Sequence, residues 1–326
     1  MAKSTGIMEI IYIFVSDYIF MQLQEILSGF DFSEKKKLYD LLKKDMGLIP
    51  ELDKIMKDLN KDQKVLCPHC LSAEIFGHGT YKGRERYKCK QCKKTFNDYT
   101  GTAISGIKKV EKFQDYLELT IESLTIREAA KKLGVNMKAI FDWRHKLLSS
   151  IATMNGSSFS GIVECDDKVS IMVTSDRKGN PVMRVAKMGR IDTESIEKTI
   201  GGLISDKNVL CSDSHPSIIS WASNRESEHH TFVASRQHIK NKCYHVQHVN
   251  SMDNLYERWI KPFYGVATKY LPQYLNWFVF LEEVKNSKNP IIDLARTVMS
   301  NTSAIKSLRE IEDVYLKLDI PHYLKT

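Results

Sequence analysis

Two short cysteine pairs constrain this chain more than any other feature: Cys67-Pro-His-Cys70 and Cys89-Lys-Gln-Cys92, eighteen residues apart. In a Cys-x-x-Cys knuckle both sulfurs turn toward one point, and a hairpin between two knuckles brings four thiolates together there. That is a tetrahedral set for one structural zinc ion, with the shell closed and no position left for catalysis. His69 and His78 lie nearby and read as knuckle and hairpin surface. There are seven cysteines in all, and an odd number with four in tight pairs argues for metal rather than disulfides, and for a reducing cytosol. Cys165 and Cys211 are expected to be small buried residues, and Cys243 carries no signal.

The chain has 326 residues, 42% of them apolar and 27% charged. That is room for roughly two domains of ~150 residues, and a composition that excludes disorder and a multi-span membrane protein. The apolar run from Ile7 to Met21 is interrupted by Glu9 and Asp17; it is too short for a span and lacks a cleavage site. Of the net charge of +8, +7 falls between Lys82 and Lys112, where ten basic residues, Lys93 and Lys94 among them, meet three acidic ones. A block of that kind points to a polyanionic partner, nucleic acid first.

Composition divides the chain into segments. Residues 1–62 are helical in pattern, with Ser33 placed to cap one helix and Pro50 to open another. Residues 63–105 hold the cysteine pairs, residues 106–153 return to helical periodicity, and 154–158 read as a linker. Short β-branched runs follow: strands are expected at Gly161–Glu164, Val169–Thr174, Val182–Met188, Val209–Ser212 and near Thr231. Helices are expected at Thr193–Ile204 and around Ile218–Ala222, and the chain is mostly helical from Asn250 onward.

Between Thr125 and Leu148 the spacing predicts two helices. Thr125-Ile-Arg-Glu128 is a capping box, and Ala129, Ala130 and Leu133 share one face. Gly134 makes the turn, and a second helix from about Asn136 buries Ile140, Trp143 and Leu147. Lys138, Phe141 and His145 are expected to point outward from it. This is helix-turn-helix spacing, in which the second helix can enter a major groove.

Acidic residues carry the remaining chemistry. Asp166 is expected to end the first strand and Asp213 the fourth. Carboxylates at the ends of neighbouring strands can share a hard divalent cation such as magnesium, which prefers oxygen ligands and keeps several waters. Two such ions can activate a nucleophile and stabilise the leaving oxygen of a phosphoryl displacement. Glu164 and Asp167 compete for the first position; alternation puts Glu164 with Asp166 and turns Asp167 to the other side.

These parts, in this order, resemble the ISXO-like DDE transposases, the insertion-sequence fifteen-ninety-five family. The stretches that carry the likeness are Tyr87–Phe96 with Thr100-Gly-Thr102, Val163-Glu-Cys-Asp-Asp167 and His245-Val-Gln-His-Val-Asn-Ser251. Most specific is Arg258-Trp-Ile-Lys-Pro-Phe263 running into Gly265–Phe278. The likeness covers roughly residues 63–283. It implies a multidomain α+β chain in which a zinc ribbon (63–105) and a helix-turn-helix (106–153) precede an RNase H-like α/β domain with a mixed sheet (158–285). Helical segments would flank these at 1–62 and 286–326.

The resemblance also implies three metal-binding catalytic positions, Asp166, Asp213 and Asn250, for Mg2+ or Mn2+. Where the family carries a basic residue seven positions after the third ligand, this chain has Glu257, with Arg258 beside it to meet DNA instead. Helical spacing of Met252, Leu255, Tyr256, Trp259 and Ile260 leaves Asn250 on the opposite face. Asp253 and Glu257 are rotated or displaced away from a site at the helix start, and a simple helix-capping role for Asn250 stays open.

The activity so implied is that of an insertion-sequence transposase that binds terminal inverted repeats and cleaves and rejoins DNA by a two-metal mechanism. Its partners would be double-stranded DNA and further copies of itself, in the cytoplasm at the nucleoid. The alternatives are a non-catalytic zinc-ribbon and helix-turn-helix DNA-binding regulator, or a nuclease without strand transfer. Residues 1–20 have no counterpart in the resemblance, and Met21 is a candidate start of translation.

Overall fold

The computed structural model describes residues 19, 21–22, 24–31, 34–35, 37–38, 41–42, 51–61, 64–81, 83–151, 158–168, 171–187, 189–233 and 243–300. The chain divides into two compact units, residues 1–50 and 51–326. In the first, helical residues 24–28 precede a reciprocal cap. The Asp31 N–H donates to Glu34 Oε2 (2.9 Å) and the Glu34 N–H to Asp31 Oδ1 (2.8 Å). Ser33, expected to cap a helix here, lies outside the described residues, as do Pro50 and residues 1–18. Among the described residues no helix is long and apolar enough to cross a membrane.

The second unit opens with α1 (Leu52–Asn60), which buries Leu52, Ile55 and Met56 along one face. A three-stranded antiparallel sheet follows: β1 (Ile75–Tyr81), β2 (Arg84–Cys89) and the short β3 (Thr95–Phe96). Then come α2 (Val110–Ile121), α3 (Ile126–Leu133) and α4 (Met137–Ile151). The Thr125–Glu128 capping box closes as expected, and Gly134 ends α3 at φ 60°, a left-handed conformation that glycine tolerates best. Lys112 on α2 adds a second stop by donating Nζ–H to the Leu133 carbonyl at 2.6 Å. Asn136 then caps α4 by accepting the Ala139 N–H at 2.7 Å.

The larger sheet has five strands in the order β6-β5-β4-β7-β8. These are β4 (Ile162–Lys168), β5 (Ile171–Asp176), β6 (Pro181–Val185), β7 (Val209–Asp213) and β8 (His229–Phe232). The first three pair antiparallel, and β7 and β8 are added parallel to β4. One face is covered by α5 (Thr193–Ile200) and α6 (Pro216–Ser223), where Val163, Cys165, Met172 and Leu210 meet Ile196, Ile200, Ile218 and Trp221. The other is covered by α7 (Gln247–Ile260) and α8 (Leu271–Val284), where Val173, Met183 and Cys211 meet Val249, Tyr256, Leu275 and Phe278.

Several boundaries differ from the sequence expectation, each for a local reason. β4 continues to Lys168 because β5 pairs with it through Ile171, so Asp166 lies inside the strand rather than at its end. The helix expected to reach Ile204 stops at Ile200, where Gly201 and Gly202 tighten into a single 3-10 turn. β8 begins at His229, since its pairing with Leu210 starts there. α7 begins at Gln247, three residues before Asn250.

α8 serves two cores. Tyr274, Trp277 and Phe280 pack with α1 to α4 and with α9 (Pro290–Ser300), while Leu275, Phe278 and Val279 pack on the sheet. A helix apolar on all sides is one buried on all sides, and that is why this stretch shows no polar stripe.

Candidate active site and metal centre

The cysteine site is built from two copies of one turn. The Leu71 N–H bonds the Cys67 carbonyl and the Lys93 N–H bonds the Cys89 carbonyl (2.8 and 3.1 Å). Likewise the Cys67 N–H reaches the Ser72 carbonyl and the Cys89 N–H the Lys94 carbonyl (2.9 and 3.0 Å). Leu71 and Lys93 take left-handed backbone at φ 60° and 62°, the reversal each knuckle needs. The four sulfurs lie within 4.8 Å of one another, with Cys67 Sγ to Cys92 Sγ at 3.5 Å and Cys70 Sγ to Cys89 Sγ at 3.6 Å. Four thiolates about 2.3 Å from a central ion would stand roughly 3.8 Å apart, so the set fits a tetrahedral metal. Burial raises the Cys89 thiol, but N–H groups of Cys92 and Gln91 and its neighbouring sulfurs outweigh that and bring it down to about 6. His69 and His78 are both exposed, as expected.

On the five-stranded sheet, alternation decides which side chains meet. Cys165 and Leu210 belong to the α5/α6 face, and Ile162, Val173 and Cys211 to the α7/α8 face. Glu164, Asp166 and Asp213 therefore share the α7/α8 face. The parallel register pairs Glu164 with Cys211 and Cys165 with Ser212, so the next step along the two strands sets Asp166 beside Asp213. Neighbouring strands run about 4.8 Å apart. Both carboxylates are half-buried, and the Asp213 Oδ1 accepts the His215 N–H at 3.1 Å. Their joint field reaches Cys165: burial pushes its thiol up, and the charges of Asp213 and Asp166 push it further. Cys165 and Cys211 are fully buried. The Asp167 side chain lies outside the described residues.

Glu164 is 1% exposed and sits at the centre of a charged cluster that composition does not foretell. Its Oε2 accepts the backbone N–H groups of His248 (2.9 Å) and Val249 (3.3 Å), in the first turn of α7. Its Oε1 faces His248 Nδ1 at 2.7 Å and His245 Nδ1 at 3.4 Å, and it bonds Arg177 Nη1. Arg177 also donates to the Cys243 carbonyl at 2.9 Å. Glu164, His245 and His248 are close enough to share a metal ion. The Arg177 guanidinium nevertheless stands against all three, at 2.9 Å from His248 Nδ1 and from His245 Nε2. Here the carboxylate acts as an anchor: it holds the positive end of α7 against β4.

Asn250 is the next residue after the pair that Glu164 holds. It is exposed and is not the helix cap, because Val246 occupies that position and the Asn250 N–H bonds the Val246 carbonyl at 3.2 Å. Asn254, Glu257 and Lys261 are exposed with it, whereas Val249 and Tyr256 are buried and Asp253 is half-buried.

On the α3–α4 pair, Ile140, Trp143 and Leu147 are buried as expected. Lys138 is exposed, in an ion pair with Asp142 at 2.6 Å. His145 does not point outward. It is 3% exposed, with Nδ1 2.6 Å from Gln273 Oε1 and its ring 4.1 Å from that of Tyr270. The turn at 268–270 and the start of α8 cover this face of α4, and burial lowers the histidine's pKa. Phe141 is half-buried beside it, and neighbouring Arg144 is buried with its guanidinium over the Trp277 ring at 4.9 Å. Lys93, Lys94 and Arg258 are exposed.

Residues 156–283 match the ISXO2-like transposase domain. That span takes in the five-stranded sheet, α5 to α7 and all but the last residue of α8. The chain is also 29% identical, over 108 residues, to an uncharacterized protein in transposable element ISH50 of Halobacterium salinarum. The aligned stretch is 32% of this chain and 35% of that protein, so the chain spans about a third of that relative's length.

Proposed function

We propose, from the premise that residues 156–283 are an ISXO2-like transposase domain, that the whole chain is the DNA transposase of an insertion sequence. The observation that carries the reading is that Asp166 and Asp213 directly follow the paired Cys165 and Ser212 on adjacent parallel strands, on one face and inside the matched span. Three antiparallel strands continued by two parallel ones suit an RNase H-like domain. Asp166, Asp213 and Asn250 would hold magnesium or manganese, since two carboxylates and an amide offer the oxygen donors such hard ions take. A bound ion of this kind supplies positive charge to the phosphate and lowers the pKa of attacking water.

The protein's own contribution is positional. Glu164 fixes the start of α7 through the N–H groups of His248 and Val249, the two residues before Asn250. Cys67, Cys70, Cys89 and Cys92 would hold zinc, the ion suited to four thiolates and no redox change. The ribbon so formed, with Lys93 and Lys94, and the α3–α4 pair as a helix-turn-helix with Lys138, would bind the terminal repeats, and Arg258 would meet backbone near the cut. Two element ends call for at least two copies of the chain.

The test is strand transfer by purified full-length protein, in magnesium, from DNA carrying the repeats that flank its reading frame. Cleaved ends joined to target DNA are expected. Tight, specific binding without any cleavage would replace this reading by that of a regulator. In the same assay Asn250→Ala should be inactive, Asn250→Glu should keep some activity and Asp253→Ala should stay active. An inactive Asp253→Ala beside an active Asn250→Ala would move the third ligand to Asp253.

A further inference from the structure

A cavity of about 660 Å3 opens beside the α3–α4 pair, and neither the metal sites nor the groove-binding role of α4 uses it. Phe141, Phe263, Tyr264, Tyr270 and Tyr274 line it, with Arg127 among the lining residues. Its volume lies within the ~300–1,000 Å3 usual for small-ligand pockets. The aromatic walls are in mutual contact: the Phe141 and Tyr270 rings meet edge to face at 5.7 Å. Two lysines stand over the same rings, Lys138 above Phe141 at 5.7 Å while paired with Asp142 at 2.6 Å, and Lys269 above Tyr270 at 5.4 Å. Arg127 and Lys261 are exposed nearby in sequence to the lining segments. Glu128 also lines the cavity, but its carboxylate is turned back onto the Thr125 N–H and hydroxyl (2.9 and 2.7 Å).

Tyr264 is the telling residue. It is 94% exposed and sits at φ 51°, directly after the single turn Lys261–Phe263 and before Gly265 at φ 97°. A left-handed backbone is unfavourable for tyrosine, and a ring left in water gains nothing from packing. The fold bears both costs at the edge of a pocket with aromatic walls and the exposed Arg127 on its lining. Flat faces flanked by cations suit a flat, π-bearing group attached to phosphate.

We propose that this pocket receives one nucleobase unstacked from bound DNA, with Tyr264 stacking on it and Arg127 meeting a flanking phosphate. The inference rests on the DNA-binding reading above and deepens it. It also gives Phe141 a role different from reading a groove: a wall for the displaced base. Stacking on aromatic side chains is tolerant of base identity, so the pocket would add affinity for a distorted duplex rather than choice of sequence.

The experiment uses the full-length, metal-loaded protein and two duplexes of one sequence, one fully paired and one with a single unpaired aminopurine nucleotide. Wild type should bind the second about ten-fold tighter, the effect of one base–aromatic stack, and should quench the aminopurine fluorescence. Tyr264→Ala should lose the preference and the quenching, while Tyr264→Phe should keep both. Tight binding of both duplexes with no preference and no quenching overturns the pocket alone. Binding of neither overturns it together with the DNA-binding reading. A Tyr264→Ala variant that keeps the preference and the quenching overturns the assignment too.

Discussion

The cysteine ribbon and the five-stranded sheet reach order by different routes. The ribbon's apolar core is three buried residues, Cys67, Cys89 and Phe96, two of which are themselves metal-ligand candidates. The sheet buries side chains on both faces, against four helices. Without an ion, four thiols drawn together have little to hold them; the sheet needs nothing from outside. Side chains on the sheet face can therefore be changed with less cost to the fold than the ribbon's cysteines. The cores on either side of the sheet are built by residues other than Asp166 and Asp213, whereas Cys89 is part of the ribbon's own core.

The comparison breaks most visibly at the metal. Cys89→Ser, or prolonged chelation, should release one zinc per chain and disorder residues 67–96, because structural zinc contributes on the order of 10 kcal/mol to such a fold. Amide exchange should show the ribbon losing protection while β4, β5 and β7 keep theirs. Uniform loss across both would mean that the two regions fold as one.

An intermediate effect is expected from the anchor within the sheet region. Glu164→Gln leaves the Arg177 guanidinium without its partner carboxylate and weakens the hold on α7. Breaking a buried ion pair costs about 3–5 kcal/mol, and Arg177 is only partly buried, so the loss should be at the low end of that range. Urea unfolding measures it. A variant as stable as wild type would show that α7 is held by packing alone.

The smallest effect sharpens the contrast by acid. Bonding to Lys187 and to the Ser195 N–H lowers the Asp192 carboxyl to about 2. A folded pKa below the unfolded ~3.9 adds stability that is complete above pH 4 and is lost as the pH falls toward 2. The group is well exposed, so solvent screening keeps this under about 1 kcal/mol. Asp192→Asn should lower the sheet's stability by that amount near neutral pH, leave it unchanged near pH 2, and so remove that part of the acid dependence. An unchanged acid limb would assign it to other carboxylates.

What could be read from the residues alone follows the same division. Both halves of the ribbon announce themselves within a few positions, and the Thr125 cap and Gly134 turn are equally local. The strands carrying Asp166 and Asp213 were legible as β-branched runs, and alternation already set Glu164 on the side of Asp166. What escaped was set by distant chain. By spacing, His145 is an outward position on α4, but the turn at 268–270 and the start of α8, more than a hundred residues later, cover it. Arg177 carried no signal, since only folding brings it to Glu164 and His248. β4 runs past Asp166 because of its pairing with β5, which no pattern within β4 reveals.

Under the proposed function, cutting belongs to the sheet face and gripping to the ribbon and the helix pair. This division is tested most directly by measuring cleavage and end binding side by side for Asp166→Asn and Asp213→Asn in magnesium. Cleavage should fall to background for both variants, with binding of the element ends and the unfolding midpoint close to wild type. Cleavage near the wild-type rate by either variant would contradict the account.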